Sequence, residues 1–395
     1  MRFLATADWQ LGMAAHFLDA DARPRYLRAR FDAVRRIGQV ARQRGAAFVL
    51  VCGDVFESNQ LDRSVVPRAF EALKEFTVPV LLLPGNHDPL DAASVYEDPA
   101  FVARMPDQVR VLREPGVVRV APGVEVVAAP WFSKRPGRDL VAEVLAGLDP
   151  APVGTARILA AHGAVASLSP DAADPALVDD AALIRAMDTG VIDVAVLGDR
   201  HSTTQVRAGD PRLWYPGTPE VTRRTEVDPG NVLLIDVPAP TGAGPAGPRG
   251  AVHVDTVPVG RWRFRVFEQT LESADDVAEL ARRLDAVESK DRTAVWLALS
   301  GTLTMADNAR LEQVLEQNAD LFALLTVWER HRDLAVIPDD HDFADLRLGG
   351  FVDDAVRELA ALAQDSADDA RAAEDAQGAL RVLYRLARSG EGAAR

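Results

Sequence analysis

Five short polar motifs stand where apolar runs stop: Asp8-Trp9-Gln10, Gly53-Asp54, Gly85-Asn86-His87-Asp88, His162-Gly163 and Gly198-Asp199-Arg200-His201. Carboxylates, amide oxygens and imidazoles are the donors that Mn²⁺, Mg²⁺, Fe and Zn²⁺ accept. No thiolate joins them, because Cys52 is the only cysteine and sits inside an apolar run. A carboxylate such as Asp54 can bridge two ions about 3.5–4 Å apart, which clamps both oxygens of an in-line phosphoryl displacement. His87, left outside such a cluster, can act as general acid to a leaving alkoxide. Taken singly, Gly-Asn-His-Asp also reads as a turn, since Gly, Asn and Asp are turn formers. Recurrence of polar groups at equivalent strand ends is harder to dismiss.

The elements that must position these groups are legible as alternating patterns. Residues 3–7 read as a short buried strand, and residues 24–44 as a helix with Leu27, Phe31, Val34, Ile37 and Val40/Ala41 on one face. Residues 48–52 are a continuous apolar run, as a strand buried on both faces requires. A helix over 65–76 and a strand over 80–83 follow. Strand, helix, strand, helix, strand predicts an α/β layered fold with parallel strands, whose ligands bind beyond the carboxyl ends. Further strands are expected at 123–129, 157–161, 193–197 and 231–237, with Trp131-Phe132 opening a loop over the site.

Residues 238–250, rich in Pro, Gly and Ala, read as a disordered hairpin tip between two β-like runs. Beyond residue 258 the pattern changes to strand 263–271, helix 273–287, strand 293–300, helix 305–324 and strand 325–330. That is a small α+β domain over 258–340. Residues 341–395 hold two amphipathic helices, 351–363 and 368–387, which either pack on the protein or offer an apolar face to a partner.

Composition sets outer bounds. The 395 residues suffice for two or three domains, and a net charge of -15 argues against coating nucleic acid by bulk electrostatics while leaving room for a local basic face. Nine Arg against four Asp in residues 1–50 read as a solvated helix face. No apolar run approaches the roughly 20 residues of a membrane span. Asp8 comes too early for a signal-peptide core, and a single cysteine suits a reducing compartment, so a cytoplasmic location is expected. His16, His253, His331 and His341 lack strand-end positions and read as surface or hydrogen-bonded residues. Trp9 and Trp131 either stack on a base or pack internally; Arg223 and Arg224 either contact substrate phosphates or lie in a solvated turn. Gly38 and Gly45 bracket a helix end.

In order and position, the five motifs resemble those of calcineurin-like metallophosphoesterases. Ala7-Asp8-Trp9-Gln10-Leu11-Gly12, Gly53-Asp54-Val55-Phe56 and Tyr215-Pro216-Gly217-Thr218 further resemble the DNA-repair exonuclease branch, the SbcD type of nuclease subunit. The resemblance covers about residues 1–260. It implies a four-layer β-sandwich flanked by helices over 1–257, followed by a capping domain and C-terminal helices. It implies one metal held by Asp8, Gln10, Asp54 and His201, another held by Asp54, Asn86, His162 and Asp199, and His87 protonating the leaving oxygen. Gln10 and Asp199 stand where that family usually has His, a shift from nitrogen toward oxygen donors that favours Mn²⁺ or Mg²⁺ over Zn²⁺. The implied substrate is DNA, the implied partner an SbcC-like coiled-coil ATPase docked through the C-terminal helices, and a homodimer is plausible. The same motifs also serve small-molecule phosphodiesterases and phosphatases, and a non-catalytic subunit with a degenerate site is the remaining alternative.

Overall fold

Short runs of Val, Leu, Ile and Ala bounded by glycine or aspartate become strands here, and the longer periodic stretches become the helices that cover them. The computed structural model describes residues 1–171, 173–238, 251–337 and 350–364, with scattered positions between 371 and 383. The chain divides into two compact units, Met1–Trp262 and Arg263–Arg395.

The first unit runs β1 (Arg2–Thr6), α1 (Ala22–Arg44), β2 (Val49–Cys52), α2 (Val65–Leu73), β3 (Val80–Leu83), α3 (Pro99–Arg104) and β4 (Val109–Val111). It continues through β5 (Gly116–Ala121), β6 (Val124–Ala128), α4 (Leu140–Leu145), β7 (Ala156–His162), α5 (Asp180–Asp188) and β8 (Val194–Gly198). It ends with β9 (Thr204–Gln205), β10 (Leu213–Tyr215), β11 (Asn231–Asp236) and β12 (His253–Pro258). Two six-stranded sheets result, ordered β12-β11-β1-β2-β3-β4 and β5-β6-β7-β8-β10-β9.

Side-chain alternation explains the four layers. Phe3, Ala5, Phe48, Leu50, Cys52, Leu81 and Leu83 of one sheet meet Val126, Ala128, Ile158, Ala160, Val194 and Val196 of the other in a shared core. The opposite face of the first sheet (Leu4, Val49, Val51, Val80, Leu82) packs on Phe31, Val34, Ile37 and Ala41 of α1 and on Ala69, Phe70 and Leu73 of α2. Val127, Leu159, Ala161, Ala195 and Leu197 likewise pack on Val141 of α4 and on Leu183 and Met187 of α5. A strand buried on both faces has no polar side to show, hence the unbroken apolar runs. The fold is the expected α/β sandwich of two sheets flanked by helices.

Several details differ from the sequence-based expectation. Pairing is not parallel throughout: β1 to β4 and β6-β7-β8-β10 run parallel, whereas β1–β11, β11–β12, β5–β6 and β9–β10 are antiparallel. The strands at 109–111 and 116–121 and helices α3 to α5 carry too few periodic residues to stand out. Helix α2 stops at Leu73, short of Phe76. The β-like runs around 238–250 do pair as consecutive antiparallel strands, while residues 239–250 themselves lie outside the described residues. One of the nine arginines of residues 1–50 departs from the solvated face: Arg30 is only 2% exposed and points inward.

In the second unit, β13 (Arg263–Leu271), α6 (Ala274–Asp285), β14 (Thr293–Thr304), α7 (Met305–Ala319), β15 (Leu324–Val327), β16 (Asp333–Ile337) and α8 (Phe351–Gln364) form a parallel four-stranded sheet with helices. Strand β14 is central: β13 pairs along one edge, and β15 and β16 share the other. Leu280, Leu284, Leu297, Leu299 and Leu311 anchor its core. Helix α7 ends at Ala319 rather than 324, and two short strands replace the one expected over 325–330. His341 and most of 368–387 lie outside the described residues. Among the described residues no helix is long and apolar enough to cross a membrane.

Candidate metal centre

The five motifs follow the carboxyl ends of β1, β2, β3, β7 and β8, and the structure brings them to one place. The chain turns sharply there: Asp8 (φ 53°), Gln10 (φ 42°), Asp54 (φ 53°) and Asp199 (φ 95°) all have left-handed backbones. Such backbones cost of order 1–3 kcal/mol each and persist where the surroundings impose them. Lacing between the loops does so here: Asp8 N–H donates to Gly53 O (3.1 Å), Gln10 N–H to Asp54 O (2.9 Å) and Gly163 N–H to Gly198 O (3.1 Å). Two glycines make the approach possible. A Cβ on Gly53, itself at φ 86°, would collide with the His162 ring, and one on Gly198 would collide with Cys52 O and His162 Nδ1.

His162 lies at the centre. Its Nδ1 faces Cys52 O at 3.0 Å, which fixes the ring and turns Nε2 toward three oxygens: Asn86 Oδ1 (2.7 Å), Asp54 Oδ1 (3.5 Å) and Asp199 Oδ1 (4.0 Å). Asp8, Asp54 and His162 each offer a ligand atom within 4.8 Å of the others. Trp131 braces this ring: its Nε1–H donates to His162 O at 2.8 Å and its indole stands edge-on to the imidazole. Tyr215 braces the next turn, donating to Gly163 O and accepting from Val165 N.

Electrostatics marks the cluster as short of positive charge. Burial pushes the Asp8 carboxyl up to about 7, although His201 and His162 pull the other way. Burial pulls His162 down, but Asp54, Asp8 and Asp199 outweigh it and hold the imidazole at about 9. The carboxylates that raise this histidine, Asp8 and Asp54 buried and Asp199 partly exposed, surround Nε2 with negative oxygen that a divalent ion would suit. The donors present are carboxylate and amide oxygens and imidazole nitrogen, which fit a hard or borderline divalent metal.

His201 and Gln10 form a different corner. The His201 Nδ1–H points at Thr222 Oγ1 (2.6 Å) and Glu226 Oε1 (2.9 Å), and Thr222 and Glu226 are themselves closely hydrogen-bonded. That carboxylate–imidazole arrangement leaves Nε2 as the ligating nitrogen. Gln10 Nε2 sits 3.3 Å from it, so the amide N–H donates to the lone pair a metal would take. Thr218 Oγ1 donates to Asp8 O and holds the first loop from behind. Buried Arg30 donates to Trp9 O, Tyr26 Oη and Glu220 O.

His87 borders the cluster without joining it. Its Nδ1–H donates to Glu57 O (2.8 Å), its backbone N–H to Asp54 Oδ1 (2.9 Å), and its Nε2 stands 4.0 Å from Asp54 Oδ2. The side chain is 32% exposed, so Nε2 can meet a substrate. Asp88 is structural: buried, it accepts from Gly85 N, Phe56 N and Tyr96 Oη and holds the motif's turn closed.

All the sequence-predicted ligands therefore converge: Asp8, Gln10, Asp54, Asn86, His162, Asp199 and His201, with His87 alongside. Trp9 is a correction. It is 1% exposed and its indole donates to Thr6 Oγ1, so its ring packs in the core and has no face to give a base. Arg223 and Arg224 are exposed, just before the Glu226 that holds His201. Thr222 and Glu226 were not picked out in the sequence; their only signal was polar residues crowded after Tyr215-Pro216-Gly217-Thr218.

Residues 1–202 match the calcineurin-like phosphoesterase family. The chain is similar in structure to TT1561 of Thermus thermophilus, at 12% identity and a TM-score of 0.41, over 65% of this chain and 98% of that one. It is also similar to the purple acid phosphatase PPD1 from yellow lupin (Lupinus luteus) seeds, at 15% identity and a TM-score of 0.34, over 54% of this chain and 43% of that one. No curated protein matches.

Proposed function

The chain belongs to the calcineurin-like phosphoesterase family, whose members hydrolyse phosphoesters with divalent metals; from that premise we propose that it is a two-metal phosphodiesterase acting on DNA ends. The observation that carries hydrolysis is the convergence on His162 Nε2 of Asn86, Asp54 and Asp199 oxygens, with His87 Nε2 open beside Asp54. Asp54, Asn86, His162 and Asp199 would hold one ion, and Asp8, Gln10, Asp54 and His201 the other. When bound, such ions supply Lewis-acid polarisation and neutralise phosphoryl charge.

The chain's own residues do the rest. Asp54 lies 3.5 Å from His162 Nε2 and anchors the His87 backbone, so the acid's position is tied to the candidate metal cluster. The Glu57 carbonyl accepts from His87 Nδ1–H and orients the ring, leaving Nε2 free to hand a proton to the leaving oxygen when the ring is an imidazolium. The oxygen-rich donor set supports Mn²⁺ as the working ion. The wording of residues 7–12, 53–56 and 215–218, similar to SbcD-type subunits, supports DNA as substrate and a role in repair inside the cytoplasm. An SbcC-like coiled-coil ATPase is the proposed partner; exposed Phe351 and Leu362 on α8 support docking through that helix. A homodimer fits the same reading.

The test is Mn²⁺-dependent cleavage of linear single- and double-stranded DNA by the purified chain, beside His87→Ala and Asp54→Asn, with bis(4-nitrophenyl) phosphate as the small substrate. Cleavage of DNA suppressed by both substitutions is expected. Intact DNA with every metal, with metal bound and an SbcC-like ATPase supplied, would transfer the reading to small phosphodiesters.

A further inference from the structure

The loop that follows Trp131 has the composition of a ligand-holding element and a fixed place beside the metal centre. Residues 132–138 read Phe-Ser-Lys-Arg-Pro-Gly-Arg, three cations and no carboxylate, in a chain of net charge -15. The residue before it is pinned between two walls of the site. Trp131 donates from Nε1 to His162 O and from its backbone N–H to Pro84 O, and accepts at its own carbonyl from Leu90 N–H. His162 is a metal-ligand candidate, and Pro84 and Leu90 flank the Asn86-His87 turn. At the far end Asp139 caps α4 through Val141 N and Ala142 N. Both ends of the loop are therefore anchored.

Phe132 follows directly, and its ring is 44% exposed beside a strongly polar site. Packing does not account for it, since its neighbour Trp131 already fills the internal position at 8% exposure. Lys134 and Arg135 are exposed and joined by no ion pair to a described carboxylate, whereas Arg138 is paired with Glu143 at 2.8 Å. Three residues of extended chain span about 10 Å, so an aromatic face and two cations lie within that reach of each other. Aromatic faces stack bases and cations hold backbone phosphates wherever unpaired nucleic acid is bound.

We propose that Phe132, Lys134 and Arg135 dock single-stranded nucleic acid at the metal centre, Phe132 stacking on a base next to the scissile phosphodiester and the two cations holding flanking phosphates. This rests on the phosphodiesterase reading and narrows it to unpaired strands or frayed ends.

The test is equilibrium binding of a short fluorescein-labelled oligothymidylate, by anisotropy, to the full chain in Ca²⁺, with cleavage in Mn²⁺ followed separately. Phe132→Ala should weaken binding about fivefold or more, and Phe132→Trp should restore it. A Lys134→Ala/Arg135→Ala double variant should reduce the slope of log Kd against log salt by about 1.4, two phosphates' worth on a single strand. Arg42→Ala, an exposed cation on α1, should bind as the parent does, and thermal midpoints check folding. No binding by the parent chain, or parent-like binding by the Phe132 and double variants, overturns the proposal. Binding that depends on the loop without cleavage of any strand sustains the docking site and fails the nuclease reading. Cleavage with loop variants that bind as the parent does the reverse.

Discussion

His87 offers the sharpest test of the chemistry, because the structure separates its role from its neighbours'. Replacing it with Ala removes one side-chain hydrogen bond, Nδ1–H to Glu57 O, on a partly exposed ring. Loss of such a bond costs about 0.5–1.5 kcal/mol, too little to unfold the unit. The hydrogen bond that ties this turn to the metal cluster, His87 N–H to Asp54 Oδ1, is made by backbone and survives the substitution. Metal stoichiometry should therefore be unchanged. What disappears is a proton donor at Nε2, and a positioned general acid contributes about 10²–10⁴-fold. The loss should follow the leaving group. On a DNA oligonucleotide, whose alkoxide leaves poorly without a proton, kcat should fall by about 10²–10⁴. On bis(4-nitrophenyl) phosphate, whose leaving phenolate needs no proton near neutrality, the fall should stay within about tenfold. Turnover of both substrates by parent and variant, with bound metal measured on each sample, decides it. Equal losses on the two substrates would refute a general acid and reassign His87 to binding or to metal retention.

Three further outcomes follow from the geometry. Glu226→Gln leaves His201 without its carboxylate partner at 2.9 Å, and Mn²⁺ affinity should fall about 10–100-fold in a calorimetric titration, chiefly at one of two sites. Gln10→His replaces an amide that occupies the His201 lone pair with an imidazole ligand, and the weaker of the two metal affinities should rise in the same titration. Burial lifts the Glu220 carboxyl from 4.5 to about 7, against the pull of the Trp262 and Arg261 N–H groups and Arg36. The folded state thus holds this proton more tightly than the unfolded chain. The resulting stability is fully present below pH 4.5 and fades as pH rises through 7, up to about 3 kcal/mol in all. Glu220→Gln should remove that fade, so the thermal midpoints of parent and variant should diverge between pH 5 and 8; a constant difference would refute it.

What could be read in advance divides along physical lines. Ligands at strand ends were legible because a strand buried on both faces must be apolar throughout, so any polar residue at its carboxyl end stands out. Val49–Cys52 followed by Gly53-Asp54 and Val80–Leu83 followed by Gly85-Asn86-His87 show this directly. The outer strand β5 was not legible, since its alternation of half-exposed and exposed positions resembles a loop. Arg30 escapes a sequence reading for a related reason. Arginine on a helix is ordinarily solvated, and only the long-range approach of Trp9 O and Glu220 O, 21 and 190 residues away, gives this one a reason to be inside. Trp9 misleads in the opposite sense: a tryptophan between two ligands invites a stacking role, but the left-handed turns at Asp8 and Gln10 point the intervening side chain into the core.

The two unusual ligand positions have unequal standing in the structure. Asp199 accepts the change from imidazole readily: its backbone N–H donates to Asp8, and its carboxylate reaches toward the same Nε2 that Asn86 and Asp54 share. The corner it helps build is rigid, because His162 is held by Cys52 O, Trp131 and two glycines that admit its ring. Gln10 is different. A neutral amide is a weak ligand, and here it binds a neighbouring ligand rather than standing aside. A metal at that corner would compete with the Gln10–His201 hydrogen bond, whereas at the His162 corner Nε2 already faces oxygens of Asn86, Asp54 and Asp199. Two unequal affinities are therefore expected in the Mn²⁺ titration, the weaker one at the Gln10–His201 corner and the stronger at the His162 corner; two equal affinities would refute this.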